Sequence, residues 1–225
     1  MEGQAWFSVQ LSLWVAGVST LIVAVVGTAI AYFFAKRDFP GKNILDILVT
    51  LPLVLPPTVT GYYLFRLLGR KGLIGGPLYD LTGWSVTFTW WAAIVASTVV
   101  SLPFMVRTGR AAIESVDRNV EYASQLLGKS EWSTALTITL PLARHGLIAG
   151  LILAFARAMG EFGATLMLAG NIPGRTNTMP LEIYGAFAGG DLGQAHWLVL
   201  GHTGISFLAL YLATWWSRER VKAGT

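Results

Sequence analysis

The sequence predicts an all-α, polytopic membrane protein with about five transmembrane helices, and three observations carry that prediction. The mean hydropathy is +0.58 and 12% of the 225 residues are charged, about half the share in a soluble domain. The apolar runs reach the roughly 20 residues needed to cross a hydrocarbon core. They also lack the two-residue alternation of a barrel strand. At 24.3 kDa the chain is expected to form a single domain over 1–225.

The first apolar run covers about 8–35. Met1 to Trp6 contains Glu2 and no Lys or Arg, so it lacks the basic start of a secretory signal, and a retained helix is expected. The run ends at Lys36, Arg37 and Asp38, followed by the turn signal Pro40-Gly41. A second run, about 44–66, contains Pro52, Pro56 and Pro57. Three missing backbone donors predict a kink or break near its middle. Broken backbone at membrane depth is tolerated where it packs on protein or lines a wet cavity.

A lone transmembrane proline is usually just a kink, but this cluster points to a transport path. Pro56, Pro57, Thr58 and Thr60 are therefore candidate pathway residues. Ser101 joins them from the third run, about 86–108, where Pro103 adds a further irregular point. These hydroxyls can hydrogen-bond an oxyanion.

A fourth run, about 143–169, contains Arg157, Gly160, Glu161 and Gly163. Charges within a span are costly and normally pair. Arg157 and Glu161 stand four residues apart, one helical turn, so each can satisfy the other. They fix helix packing, or they lie at a gate or dimer interface where Gly160 and Gly163 allow close approach. The fifth run covers about 196–216.

Charge sets the orientation. Eleven Lys and Arg residues fall in the loops after runs one and three and in the C-terminal tail, against four in the opposite loops. The positive-inside bias places the N-terminus outside and the C-terminus in the cytoplasm. Gly69-Arg70-Lys71-Gly72 dissents, and snorkelling excuses only Arg66.

The same bias places the polar segment 117–141 in the cytoplasm. Asp117 suits an N-cap and Gly128 a helix stop. Val120, Ala123 and Leu127 form a narrow apolar stripe flanked by Glu121 and Gln125. Ser130 can cap a second short helix toward Leu140, with Pro141 opening the next span. Two short helices at an angle suit insertion into a partner's groove.

Other chemistry finds little support. There are no cysteines, and His145, His196 and His202 have no acidic cluster around them, so no metal site is expected. Gly128-Lys129-Ser130 matches the tail of a phosphate-binding loop, but Ala123 stands where that motif needs glycine. The basic residues are scattered between apolar runs, which argues against nucleic acid.

Glu121 to Gly128, followed by Ile138-Thr139-Leu140-Pro141, resembles the cytoplasmic coupling loop of ATP-binding-cassette importer permeases. Further matches are Phe39–Lys42, Leu51–Pro57, Ser101–Pro103, Val116-Asp117, Phe155–Ala164, Asn171–Gly174 and Thr178–Pro180. Together they make the chain similar to permease subunits of bacterial molybdate importers, a pattern shared with sulfate and tungstate permeases.

The resemblance implies a type I importer permease fold in the bacterial cytoplasmic membrane, with 117–141 as the coupling-helix segment. It assigns contact with an ATPase to Glu121, Tyr122, Ala123, Leu127, Gly128, Leu140 and Pro141. The expected partners are a second permease, a cytoplasmic ATPase dimer, a periplasmic or surface-anchored oxyanion-binding protein, and membrane lipid. ATP binds the partner ATPase, and no cofactor is expected on this chain. An ion-driven carrier and an intramembrane enzyme are the alternatives, and neither internal repeats nor a protease constellation supports them.

Overall fold

The computed structural model describes residues 2–222, and its regular elements are helical. α1 (Glu2–Lys36), α5 (Trp90–Glu114) and α8 (Leu140–Met159) pack against one another as the centre of the molecule. Small residues let them approach. Val23, Met105 and Ala154 share one buried layer, and Ala31, Ile113 and Ala143 share another. Among the described residues, four helices are long and apolar enough to cross a membrane: Gly3–Lys36, Trp90–Glu114, Glu131–Met159 and Leu192–Leu212.

The expected second span is divided. α2 (Lys42–Val54) stops at Leu55, and α3 (Pro57–Leu68) starts after Pro56. Pro57 occupies the first helical position, where its missing N–H costs nothing. Neither piece alone is long enough to span. Together they traverse the length of α5. Asp46 of α2 meets Arg110 near one end of α5 at 3.4 Å, while Phe65 of α3 meets Phe88 just before the other. The break predicted from the prolines is therefore present, and the five-crossing arrangement is kept.

The expected fourth span differs more. The helix starts at α7 (Glu131–Thr134) and passes through a π turn, Ala135–Thr139, into α8 without a stop. Pro141, which by sequence opens the next span, lies inside this continuous helix. The π turn explains this: Leu140 N–H reaches back to the Ala135 carbonyl, an extra residue that reshapes the turn around a proline. At the far end α8 stops at Met159, and a short α9 (Gly163–Ala169) resumes after Gly160–Phe162. The continuous 143–169 span is corrected to two helices with a break.

Three further helices complete the chain: α4 (Gly75–Thr82), α10 (Met179–Ala188) and α11 (Leu192–Lys222). The segment before α10 is polar yet buried. Asn177 Nδ2 donates to Glu182 Oε2 at 2.6 Å, and its Oδ1 accepts from Gly174 N–H at 3.0 Å. Met179 N–H donates to Ser12 Oγ of α1 at 2.7 Å. The side chains of Arg218, Arg220 and Lys222, which entered the charge bias, lie outside the described residues.

Candidate coupling helix and transmembrane breaks

The 117–141 segment folds into α6 (Arg118–Leu126) and the first turns of the α7–α8 helix. Asp117 caps α6, its side chain accepting from Asn119 N–H at 2.8 Å. Gly128 ends it at φ 88, a left-handed conformation that glycine adopts without penalty. Ser130 caps α7 by accepting from Ser133 N–H at 3.2 Å. Both caps agree with the expectation from sequence. The second helix does not stop at Leu140.

α6 has two distinct faces. Glu121 and Ser124 point into the molecule and are buried. Lys36 Nζ, at the end of α1, donates to Glu121 Oε2 at 2.7 Å, and Thr139 of the π turn donates to Glu121 Oε1. Ser124 and Thr134 hydroxyls pair at 3.2 Å. Alongside, Arg37 reaches Glu131 at 2.7 Å, and the rings of Tyr32 and Trp132 stack at 6.2 Å. Glu121 thus spends both oxygens within its own chain.

The other face of α6 is apolar and open. Val120, Tyr122 and Ala123 are exposed, and Leu126 and Leu127 are 88% and 87% exposed. Two adjacent leucines so exposed in a polar loop make an apolar patch that the described residues leave uncovered. Leu140 and Pro141 lie within the helix below. The sequence reading missed Lys36, Ser124, Thr134 and Thr139. Lys36 registered only as a topology charge, and Thr139 only as spacing within Ile138–Pro141.

A second constellation lies where the two breaks meet. α3 and α9 pack side by side. A Cβ at Gly61 would lie 2.8 Å from Ala164 Cα, and one at Gly163 would lie 3.0 Å from Pro57 Cβ. Gly163 therefore serves contact within this chain. Among the described residues Gly160 has no such neighbour: a Cβ there would meet only the Ala156 carbonyl, at 3.9 Å.

Arg157 and Glu161 do pair, Nη2 to Oε2 at 2.7 Å, with the Glu161 side chain 1% exposed. The other oxygen of Glu161 accepts Ala164 N–H at 2.7 Å, so the carboxylate also caps the start of α9. Break, ion pair and helix cap are one device.

The remaining candidates separate. Pro56, Pro57 and Thr58 are exposed at the start of α3, whereas Thr60 is buried with its hydroxyl unpartnered. Ser101 is fully buried, and its hydroxyl donates to the Ser97 carbonyl of its own helix at 2.6 Å. In this conformation Ser101 faces no open path.

Interrupted helices around a common break, with a short amphipathic helix pinned on one face, define a transporter membrane subunit. The chain belongs to the family described as binding-protein-dependent transport system inner membrane component, whose match covers residues 23–218. It is thus a multi-pass inner-membrane protein. It is 42% identical over 222 residues to the molybdenum transport system permease protein ModB of Escherichia coli K12, covering 97% of this chain and 96% of that one. It is 32% identical over 205 residues to the sulfate transport system permease protein CysW of Synechococcus elongatus, covering 91% and 71%. A bacterial ABC transporter that imports alginate has a membrane chain of the same fold. The TM-score is 0.77 at 16% identity, over 96% of this chain and 79% of that one. The fold is that of a type I importer permease.

Proposed function

We propose that the chain, as one domain over 1–225, is the membrane permease of an ATP-driven importer that carries molybdate into the cytoplasm. The observation that carries the coupling part is α6: buried Glu121 holds it in place while Val120, Tyr122, Leu126 and Leu127 are left open. Such a face suits a helix-in-groove contact with an ATPase subunit. Gly128 sets where this helix ends, Ser130 where the next begins, and Leu140 and Pro141 lie within that next helix. ATP is bound and hydrolysed by that subunit, and this chain is not itself an enzyme.

The oxyanion rests on the Escherichia coli relative, whose printed name is a molybdenum permease. Sulfate or tungstate is the second reading, favoured by the more distant sulfate relative. Two copies of the chain form the path, two ATPases dock on the cytoplasmic face, and a periplasmic or surface-anchored binding protein delivers the anion. The N-terminus lies outside and the C-terminus inside. Pro56, Pro57, Thr58, Gly160, Glu161 and Gly163 lie at or beside the breaks, with Arg157 as the ion-pair partner; Thr60 and Ser101 belong to the packing behind them.

The test is uptake of labelled molybdate by cells with and without this chain, competed by tungstate and by sulfate. Uptake lost on deletion, and blocked by tungstate in the wild type, is expected. Intact molybdate uptake with lost sulfate uptake would move the assignment to sulfate.

A further inference from the structure

α3 and α9 begin at the two breaks and run together to one end. That end is a pocket of about 540 Å3 lined by Phe65, Arg66, Arg70, Lys71, Thr87 and Phe88. It lies beside the start of α5, while α6 follows the other end, 25 helical residues away. At 1.5 Å per residue that is roughly 37 Å, the depth of a membrane. The pocket therefore lies at the membrane face opposite the coupling helix.

Its charge has no structural use that accounts for all of it. Among the described residues, none of the three cations is in a salt bridge. Arg66 lies in the last turn of α3, where one cation answers the helix dipole. Arg70 and Lys71 lie beyond the helix, and Arg70 rests 5.0 Å from the Tyr79 ring centroid. Positive charge on an outer face also runs against the bias that orients such proteins.

The wall of the pocket is held in a strained shape. Among the described residues, Phe88 is the only non-glycine with positive φ, at 61°. Its N–H donates to the Leu168 carbonyl of α9 at 3.1 Å, and its ring meets Phe65 of α3 edge-on at 6.3 Å. Strain of this kind persists only where its surroundings impose it, and it concentrates at working sites.

We propose that this pocket is an oxyanion-receiving site at the outer mouth of the path. A tetrahedral dianion rests there between release from the binding protein and passage along α3 and α9. This rests on the importer reading above. A cleft lined by one sign of charge concentrates its counter-ion and raises capture rates by about 10–1000-fold. Arginine forks match oxyanion geometry. Because all three cations are exposed to water, the hold is weak enough for onward release.

The test uses the complete transporter, with ATPase and binding protein, in liposomes, read as labelled molybdate taken up per ATP hydrolysed. Arg70→Gln/Lys71→Gln is expected to lower that ratio about tenfold at low ionic strength. The deficit should narrow as salt screens the field. Binding of loaded binding protein to the transporter should stay unchanged, and Arg70→Lys/Lys71→Arg should keep most transport.

A parallel loss of binding-protein affinity would mean that the cluster holds protein carboxylates, and would overturn the proposal. An unchanged ratio would do the same. So would an equal loss in Arg175→Gln, which removes one charge from a neighbouring loop. A wild-type complex that moves no oxyanion would overturn the importer reading, and this inference with it.

Discussion

Lys36 Nζ lies 2.7 Å from Glu121 Oε2, joining the last turn of α1 to the first turn of α6. The two side chains are 12% and 11% exposed, so little water competes with the contact. Removing one partner leaves a largely buried charge, which typically costs about 3 kcal/mol.

Glu121→Ala and Lys36→Met are each expected to lower the melting temperature of the detergent-solubilised protein. The reversed pair, Lys36→Glu with Glu121→Lys, should recover part of the loss. Thermal unfolding of the four proteins checks this. A swap no better than either single change would mean that burial, not pairing, sets the cost.

Leu126→Ala/Leu127→Ala should leave the fold intact, because both side chains stand almost wholly in the open. Each leucine buried by a partner contributes about 1.5–3 kcal/mol. Co-purification of the ATPase subunit is therefore expected to fall by at least about tenfold, with no change in melting temperature. Retention of the subunit would place the docking surface elsewhere.

Gly61→Val and Gly163→Val place side-chain atoms where the backbone or Cβ of the facing half-helix already lies. Overpacking of this kind costs about 1–3 kcal/mol. Reduced thermal stability and lost transport are expected together. Gly160→Ala, with open space beside it, should be nearly silent in the same assays.

Glu161 separates two roles by chemistry. Glu161→Gln keeps an oxygen to accept Ala164 N–H but loses the attraction to Arg157. Glu161→Ala loses both, including a cap usually worth about 1 kcal/mol. Stability is expected to fall in the order Glu, Gln, Ala. Equal losses for Gln and Ala would show that the ion pair alone matters.

Much of this arrangement is legible in the residues because local chemistry decides it. Pro56-Pro57 cannot continue a helix, so the first break follows from missing donors. Asp117, Gly128 and Ser130 mark helix ends by the same local rules. The second break was hidden because Gly160-Glu161-Phe162 carries no proline and reads as uninterrupted apolar helix. The packing of Gly163 on Pro57 accompanies the interruption, together with the Glu161 cap on Ala164 N–H.

The face of α6 was legible as a stripe but not in its direction. Glu121 looks like a surface carboxylate until Lys36, 85 residues earlier in the chain, arrives beside it. The π turn is invisible for a related reason. One inserted residue shifts every later side chain by about 100° around the axis, so no single periodicity covers 131–159.

The glycine contacts between α3 and α9 have a mechanical consequence. No layer of side chains lies between the two backbones at Gly61 and Gly163, so there is nothing there to compress or rotate. A shift imposed on one half-helix reaches the other without slack. The pair is packed as one lever, so a displacement at either break, 55–56 or 160–162, would be passed to the other.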